Sequence, residues 1–273
     1  MKKVNPGLTL ALVYTFLLYG CATENHTIYA EPAVKTDIQK NPYNYDNTIF
    51  VPSKKYRYNY AIVKNNDTLK YVITIGKDHQ KSWRLVPANY ADTNLVACLG
   101  IQTLEKKGPI IMENADYDQT EISLLHLNKE GKRLDAELTG VIENKRNIWL
   151  HPFRFHAFEI LQLSPFPYIK FPFRPHRQFY WKLKLGRHWD ELQEVKWKGK
   201  LTMNCTYKEE GEEEITTPLG VLKTYVVSAT AKTRIGESSL VSYFNPEYGF
   251  VKLVYKNIDG SVIVIALDGE TIR

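Results

Sequence analysis

The chain has 273 residues and a formal charge of +6 from 36 Lys and Arg against 30 Asp and Glu, a balance too mild to argue for nucleic acid. Its three cysteines lack the spacing of a zinc site, and no run of apolar residues after the N-terminal one is long enough for a transmembrane helix.

Lys2 and Lys3 precede an apolar run over residues 8–18, broken only by Thr9, Tyr14 and Thr15, and Tyr19 and Gly20 lead to Cys21. The run is too short to cross a bilayer and ends at a small residue, so residues 1–20 read as a signal peptide. Leu18-Tyr19-Gly20-Cys21 resembles the lipobox of bacterial lipoproteins, with Tyr19 an atypical choice at its position. The resemblance implies cleavage before Cys21 and acylation of that cysteine, palmitate included. Acyl chains would then hold the protein to a membrane of the cell envelope, on its periplasmic face or at the cell surface. A plain secretory peptide cut elsewhere, or an uncleaved anchor, is the alternative. Cys98 and Cys205 sit in a compartment that permits disulfides and either pair or act as separate buried small residues.

Removing the signal peptide leaves 273 − 20 = 253 residues, enough for one large β domain or two small ones. Residues 21–48 are polar, carry Pro32 and Pro42, show no period, and read as the lipidated cysteine and a flexible tether. Residues 49–273 read as a single β-rich domain. Over residues 54–63, Tyr56, Tyr58, Tyr60 and Ile62 alternate with Lys55, Arg57 and Asn59, a strand with one buried face. Asn65-Asn66-Asp67 supplies a turn, and residues 68–75 return as a β-branched strand. Short strands come next at 83–86 and 94–99, and residues 100–118 decide between helix and loop on no signal. Strands at 120–127 and 134–142 flank an Asn128-to-Gly131 turn, with Leu134, Ala136, Leu138 and Gly140 on one face. These N-terminal strands occupy 49–146.

Residues 147–188 are the most unusual stretch. They hold four of the seven histidines, eleven aromatics, five prolines (Pro152, Pro165, Pro167, Pro172 and Pro175) and one acidic residue, Glu159. That proline density predicts neither a helix of ordinary length nor a central strand, but a long ordered connection lying across a sheet.

Five β runs at 200–208, 222–231, 238–244, 250–256 and 261–268 come after it, joined by short turns, which makes an antiparallel meander over 200–268. The acidic run Glu209 to Glu214 reads as a solvated hairpin tip, since EF-hand-type ligand spacing is absent. Ile215-Thr-Thr-Pro-Leu-Gly-Val-Leu-Lys-Thr-Tyr225 and Tyr243-Phe-Asn-Pro-Glu-Tyr-Gly-Phe-Val-Lys252 resemble closing strands of uncharacterised periplasmic β-barrel-like proteins. Trp149-Leu-His-Pro152 and Pro165-Phe-Pro167 are similar to segments of uncharacterised bacterial lipoproteins. The likeness spans the C-terminal half and implies a mainly β, antiparallel, strongly curved open or barrel-like sheet of the lipoprotein-carrier kind. It brings no activity with it.

Motifs for hydrolases, zincins, phosphate loops and Cys-x-x-Cys redox sites are missing from the sequence. His151, His156, His176 and His188 form the one conceivable metal constellation. The five-residue step from His151 to His156 puts their rings on opposite faces of a strand, so a structural role predominates and no metal or cofactor is assigned. The aromatics serve as core, as a sugar platform or as the wall of a lipid-facing groove. Basic residues among them favour an anionic amphiphile or the membrane surface. The candidate ligand residues are Phe153, Arg154, Phe158, Phe171, Phe173, Arg174, Tyr180 and Trp181. The leading expectation is a non-enzymatic binding or carrier module for a hydrophobic or amphiphilic ligand or an envelope protein, favoured by an apolar cavity beneath 153–181. The alternative is a metal-dependent or hydrolytic enzyme using the His151/His156 region, favoured by convergence of two histidines with a distant Asp or Glu.

Overall fold

Strand β1 (Lys54–Lys64) sets the pattern: Tyr56, Tyr58, Tyr60 and Ile62 turn inward and are buried, while Arg57 and Asn59 face solvent. The computed structural model describes residues 47–76, 80–105, 110, 119–185 and 195–272. The signal peptide, Cys21 and all of the tether but Asn47 and Thr48 lie outside the described residues, as do His188 and most of 104–118. After β1 the chain forms β2 (Asp67–Ile75), β3 (Lys81–Pro87), β4 (Leu95–Val96), β5 (Cys98–Thr103), β6 (Thr120–Leu127), β7 (Arg133–Glu143) and β8 (Asn147–Leu150). A 3-10 helix (His156–Leu163) precedes β9 (Tyr168–Lys170), β10 (Gln178–Leu185), β11 (Leu201–Thr217), β12 (Gly220–Thr233), β13 (Gly236–Asn245), β14 (Gly249–Lys256) and β15 (Val262–Ile272). Asn65 and Asn66 sit at φ 53° and 69°, the left-handed pair that a two-residue hairpin between twisted strands requires.

All strands belong to one antiparallel sheet, ordered β10-β11-β12-β13-β14-β15-β1-β5-β6-β7-β8-β9, with β2 on β1 and β3 and β4 on β2. It curls until its two ends face each other through rings: Tyr168 meets Phe179 at 5.1 Å and Phe166 meets Trp181 at 5.1 Å. Yet β9 and β10 are not hydrogen-bonded, and the sheet stays open. Pro172 and Pro175 lie just where β9 would have to continue to close it, and proline donates no ladder bond.

Three local expectations change. Residues 147–188 are not one connection, because they contain β8, β9, β10 and the 3-10 helix; the short strands lie at the sheet ends, where proline is tolerated. The acidic run is not a hairpin tip: β11 continues through it to Thr217, and the turn falls at Pro218-Leu219. Glu210 forms a bulge there, next to Gly211 at φ 148°. In β7 the four residues Leu134, Ala136, Leu138 and Gly140 do not share one face: Ala136 covers a small cluster of Cys98, Leu125 and Leu127 apart from the main core, whereas Leu134, at a bulge, packs against the main core. Asp135, Glu137, Thr139 and Val141 take the core-side face, and Glu137, Thr139 and Val141 are buried.

The 3-10 helix and its flanks occupy the hollow of the sheet, where the core cluster includes Phe158, Leu161 and Phe166. Their backbone groups find partners on the C-terminal strands. Ser238 Oγ donates to Leu163 O at 2.7 Å, and Tyr207 Oη donates to Phe166 O at 3.0 Å. Cys98 and Cys205 are buried and unpaired, and burial pushes the Cys205 thiol up to about 12.

In β15, Ile263, Ile265 and Leu267 are buried, and Val262, Val264 and Ala266 are half-buried on the outer face. The strand lies between β14 and β1, so it joins the meander to the N-terminal half. Deleting residues 261–273 is expected to leave aggregated protein; a soluble truncation with a cooperative thermal transition would contradict this placement.

Candidate functional site

The eight candidate ligand residues do not share one surface. Phe153, Phe158 and Trp181 are core residues, and Phe158 packs edge-on to Tyr60 at 5.2 Å. Phe171 and Phe173 are half-buried at one rim of the sheet, the former 5.8 Å from Phe244 and the latter stacked on Tyr225 at 4.4 Å. Arg174 is exposed beside them, its backbone N–H donating to Glu209 at 2.9 Å. Tyr180 is 44% exposed on β10. Arg154 is half-buried far from these, its guanidinium donating to Leu138 O at 2.8 Å and lying 3.4 Å from Glu137 Oε2. The space beneath Phe153 is a narrow apolar gap between Leu150, Tyr58, Leu253 and Ile265.

Around Arg154 the fold assembles a polar group inside the hollow. His126 on β6 is fully buried. Its Nδ1 is hydrogen-bonded to the Tyr71 hydroxyl, and its Nε2 lies 3.5 Å from Glu137 Oε1, an ion-pair rather than a hydrogen-bond distance. The Arg154 backbone N–H donates to the same oxygen at 3.1 Å. His156 Nε2 sits 2.8 Å from Asp135 Oδ2, and Lys81 Nζ donates to Asp135 Oδ1 at 2.6 Å. The His126 and His156 rings are 5.6 Å apart. Burial lowers the His156 pKa and Asp135 partly offsets it. Burial works against the Asp135 carboxylate, but hydrogen bonds from Lys81, His156 and the Ala136 N–H hold its pKa below the usual value. His156 adopts φ 57°, a left-handed backbone that a non-glycine residue takes only when its surroundings impose it.

Two histidines therefore converge with an Asp and a Glu, but through His126 and not through His151. The His151 ring packs on Phe166 at 4.8 Å and meets its neighbour's carbonyl, Pro152 O, at 3.1 Å. Among the described residues no group of three His, Cys, Asp or Glu is arranged to hold a metal ion. His126, Asp135 and Glu137 escaped sequence reasoning because each alternates with apolar residues in a strand, which is how a solvent-facing polar side looks. The one signal was the charged pair Asp135 and Glu137 on the face opposite Ala136 and Leu138.

The polar group borders a half-open cleft between β3, the 3-10 helix, the end of β1 and the β14–β15 turn. Ile62, Trp83, Leu85, Ile160, Val195 and Ile263 form its apolar walls, with Lys64, His156, Glu159 and Asp259 among its polar members. Its free space, open mouth included, is about 460 Å³. Lys64 is tied to Asp259 at 3.3 Å. Such a cleft can receive an apolar group with a polar head at its edge, and His156, oriented by Asp135, can exchange a proton there.

His151 makes the stability of the domain pH-dependent. Burial, with the nearby Arg154 charge, lowers its pKa from 6.5 to about 4. Below pH 6.5 the unfolded chain takes up a proton that the folded chain refuses until about pH 4, so stability falls as the pH drops through that window. The full effect is on the order of 3 kcal/mol. His151→Asn is expected to flatten this part of the denaturation profile, measured as urea midpoints between pH 4 and 7; an unchanged acid slope would refute the assignment.

No protein-family model matches the chain, and no curated protein is similar to it. Among solved structures it is similar to a candidate exported protein with a YmcC-like fold from Bacteroides fragilis, at 11% identity and TM-score 0.42, over 82% of this chain and 100% of that one. A candidate lipoprotein from Parabacteroides distasonis aligns at 12% identity and TM-score 0.37, over 83% and 100% of the two chains. The hypothetical lipoprotein YmcC from Escherichia coli aligns at 6% identity and TM-score 0.35, over 85% and 88%. At these values the likeness is remote.

Proposed function

We propose that the protein is anchored in the cell envelope by acyl chains on Cys21, and that its folded domain is a non-enzymatic binding module for an amphiphilic ligand. The cleft beside the 3-10 helix is the binding place in this reading. The observation that carries it is the composition of that cleft: six apolar walls around a half-open mouth whose margin bears His156 and the Lys64–Asp259 pair. Because the hollow of the sheet is filled by the 3-10 helix and its neighbours, the cleft takes the end of an amphiphile and leaves the rest outside.

The convergence of His126 and His156 with Asp135 and Glu137 favours a second reading, a hydrolase in which His156 is the general base. His126 and Glu137 are out of reach of any substrate, so that chemistry would fall to the Asp135–His156 pair alone.

Titration with a fluorescent fatty acid separates the possibilities. Ala157 lines the cleft, and Ala157→Trp is expected to weaken saturable binding on the order of tenfold or more, about 1.4 kcal/mol. Phe173→Ala, at the other rim, should leave binding as it is. The reverse pattern would move the site to Phe171, Phe173 and Arg174. Ester hydrolysis that disappears in His156→Gln would replace the binding module with the enzyme. For the anchor, Cys21→Ser is expected to release the chain from carbonate-washed membranes, and its retention there would defeat the lipobox reading.

A further inference from the structure

We infer that the rim of the sheet where the chain enters the fold lies against the membrane, with the tip of the β11–β12 hairpin dipping into the lipid. This rests on the acyl anchor at Cys21. Residues 21–46 number 46 − 21 + 1 = 26, and the flexible tether expected from their sequence would reach roughly 30 Å. The residues just after it are held firmly: Glu143 accepts the backbone N–H groups of Thr48, Ile49 and Phe50 at 2.7, 3.0 and 2.9 Å, and Ile49 and Phe50 are buried. The start of β1 therefore marks the membrane-proximal rim. The ligand cleft lies at the other end of β1, eleven residues or about 35 Å away.

The hairpin projects from that same rim. β10 leaves β11 at Lys208, and β13 leaves β12 at Tyr225, so the pairs from Glu213↔Thr224 to Thr217↔Gly220 form a two-stranded ribbon without a strand on either edge. Its tip, Ile215 to Leu222, reads ITTPLGVL and is uncharged over eight residues. Leu219 is 38% exposed and Val221 64% exposed. Exposed aliphatics on a projecting turn suit a lipid surface, because water around them is released when the tip enters the acyl boundary. Charges behind the tip set its depth. Glu212, paired with Lys223, and the exposed Glu213 and Glu214 stay in water, whereas Lys145 and Arg174 on neighbouring loops of this rim face the headgroups.

The test uses the full lipidated chain carrying Leu219→Cys, Val221→Cys or, on the opposite rim, Lys129→Cys, each labelled with the polarity-sensitive fluorophore NBD. Cys98 and Cys205 are buried and Cys21 is blocked by its acyl group. On phosphatidylethanolamine/phosphatidylglycerol vesicles, the labels at 219 and 221 are expected to shift to the blue and lose quenching by aqueous iodide, while the label at 129 does neither. A chain that stays on the vesicles with all three labels equally quenched would overturn the proposal alone and leave the tip to a protein partner. A chain that does not stay on the vesicles would overturn the anchor and this orientation with it.

Discussion

Three buried carboxylates hold together what the strand ladders alone cannot. Glu137, Glu143 and Glu209 are each at most 4% exposed, and each accepts a backbone N–H from a segment outside the regular sheet. Glu143 takes the incoming chain, Glu137 takes the turn at Arg154, and Glu209 takes the loop between β9 and β10. Glu209 also receives Arg177 through two hydrogen bonds, at 2.9 and 2.6 Å. A loop inside a sheet carries polar backbone that has no ladder to join, and an ionised carboxylate with several donors is the strongest partner available there. Removing one partner from such a pair leaves a buried charge uncompensated, at about 3–5 kcal/mol.

The arrangement fills the hollow of the curved sheet with packed side chains among the described residues. The 3-10 helix and Phe166 are drawn into the hollow, and Tyr207 and Ser238 on the far strands and Asn257 in the β14–β15 turn complete the hydrogen bonds of this segment. Among the described residues, space for a ligand opens where this plug ends, between Trp83, Ile160 and Ile263. The same plug sets His156 beside Asp135 with its backbone in the left-handed region. One end of β1 thus borders the cleft, and the incoming chain and the long hairpin lie on the rim at its other end.

The regular strands were legible because their pattern is local. Tyr56, Tyr58, Tyr60 and Ile62 announce one buried face of β1, and the Asn257-to-Gly260 turn announces the last hairpin. Residues 147–188 announced only what they exclude, since proline forbids long elements but says nothing of three short strands at sheet ends. The acidic run misled because Glu209 and Glu210 look solvated until Arg177 and a bulge are placed against them. The polar group at His126 was illegible for a deeper reason: its partners lie on β2, β6, β7 and the 3-10 helix, and only the tertiary fold brings Tyr71, Glu137 and His156 to it. Of the candidate ligand residues, the rings that composition made prominent, Phe153, Phe158 and Trp181, are those the core consumed.

Residues 153–166 form a plug integral to the sheet, with the loop from Phe171 to Arg177 fixed at its rim, and native-state hydrogen exchange reads whether both open with it. If Glu137 and Glu209 clamp these segments as described, the amides of Arg154, Phe158 and Ser164 and of the loop to Arg177 exchange only through the global opening that also releases β11 to β15. Early exchange of these amides, while the C-terminal strands stay protected, would mean that the plug opens by itself and that the hollow beneath it is available to a ligand after all.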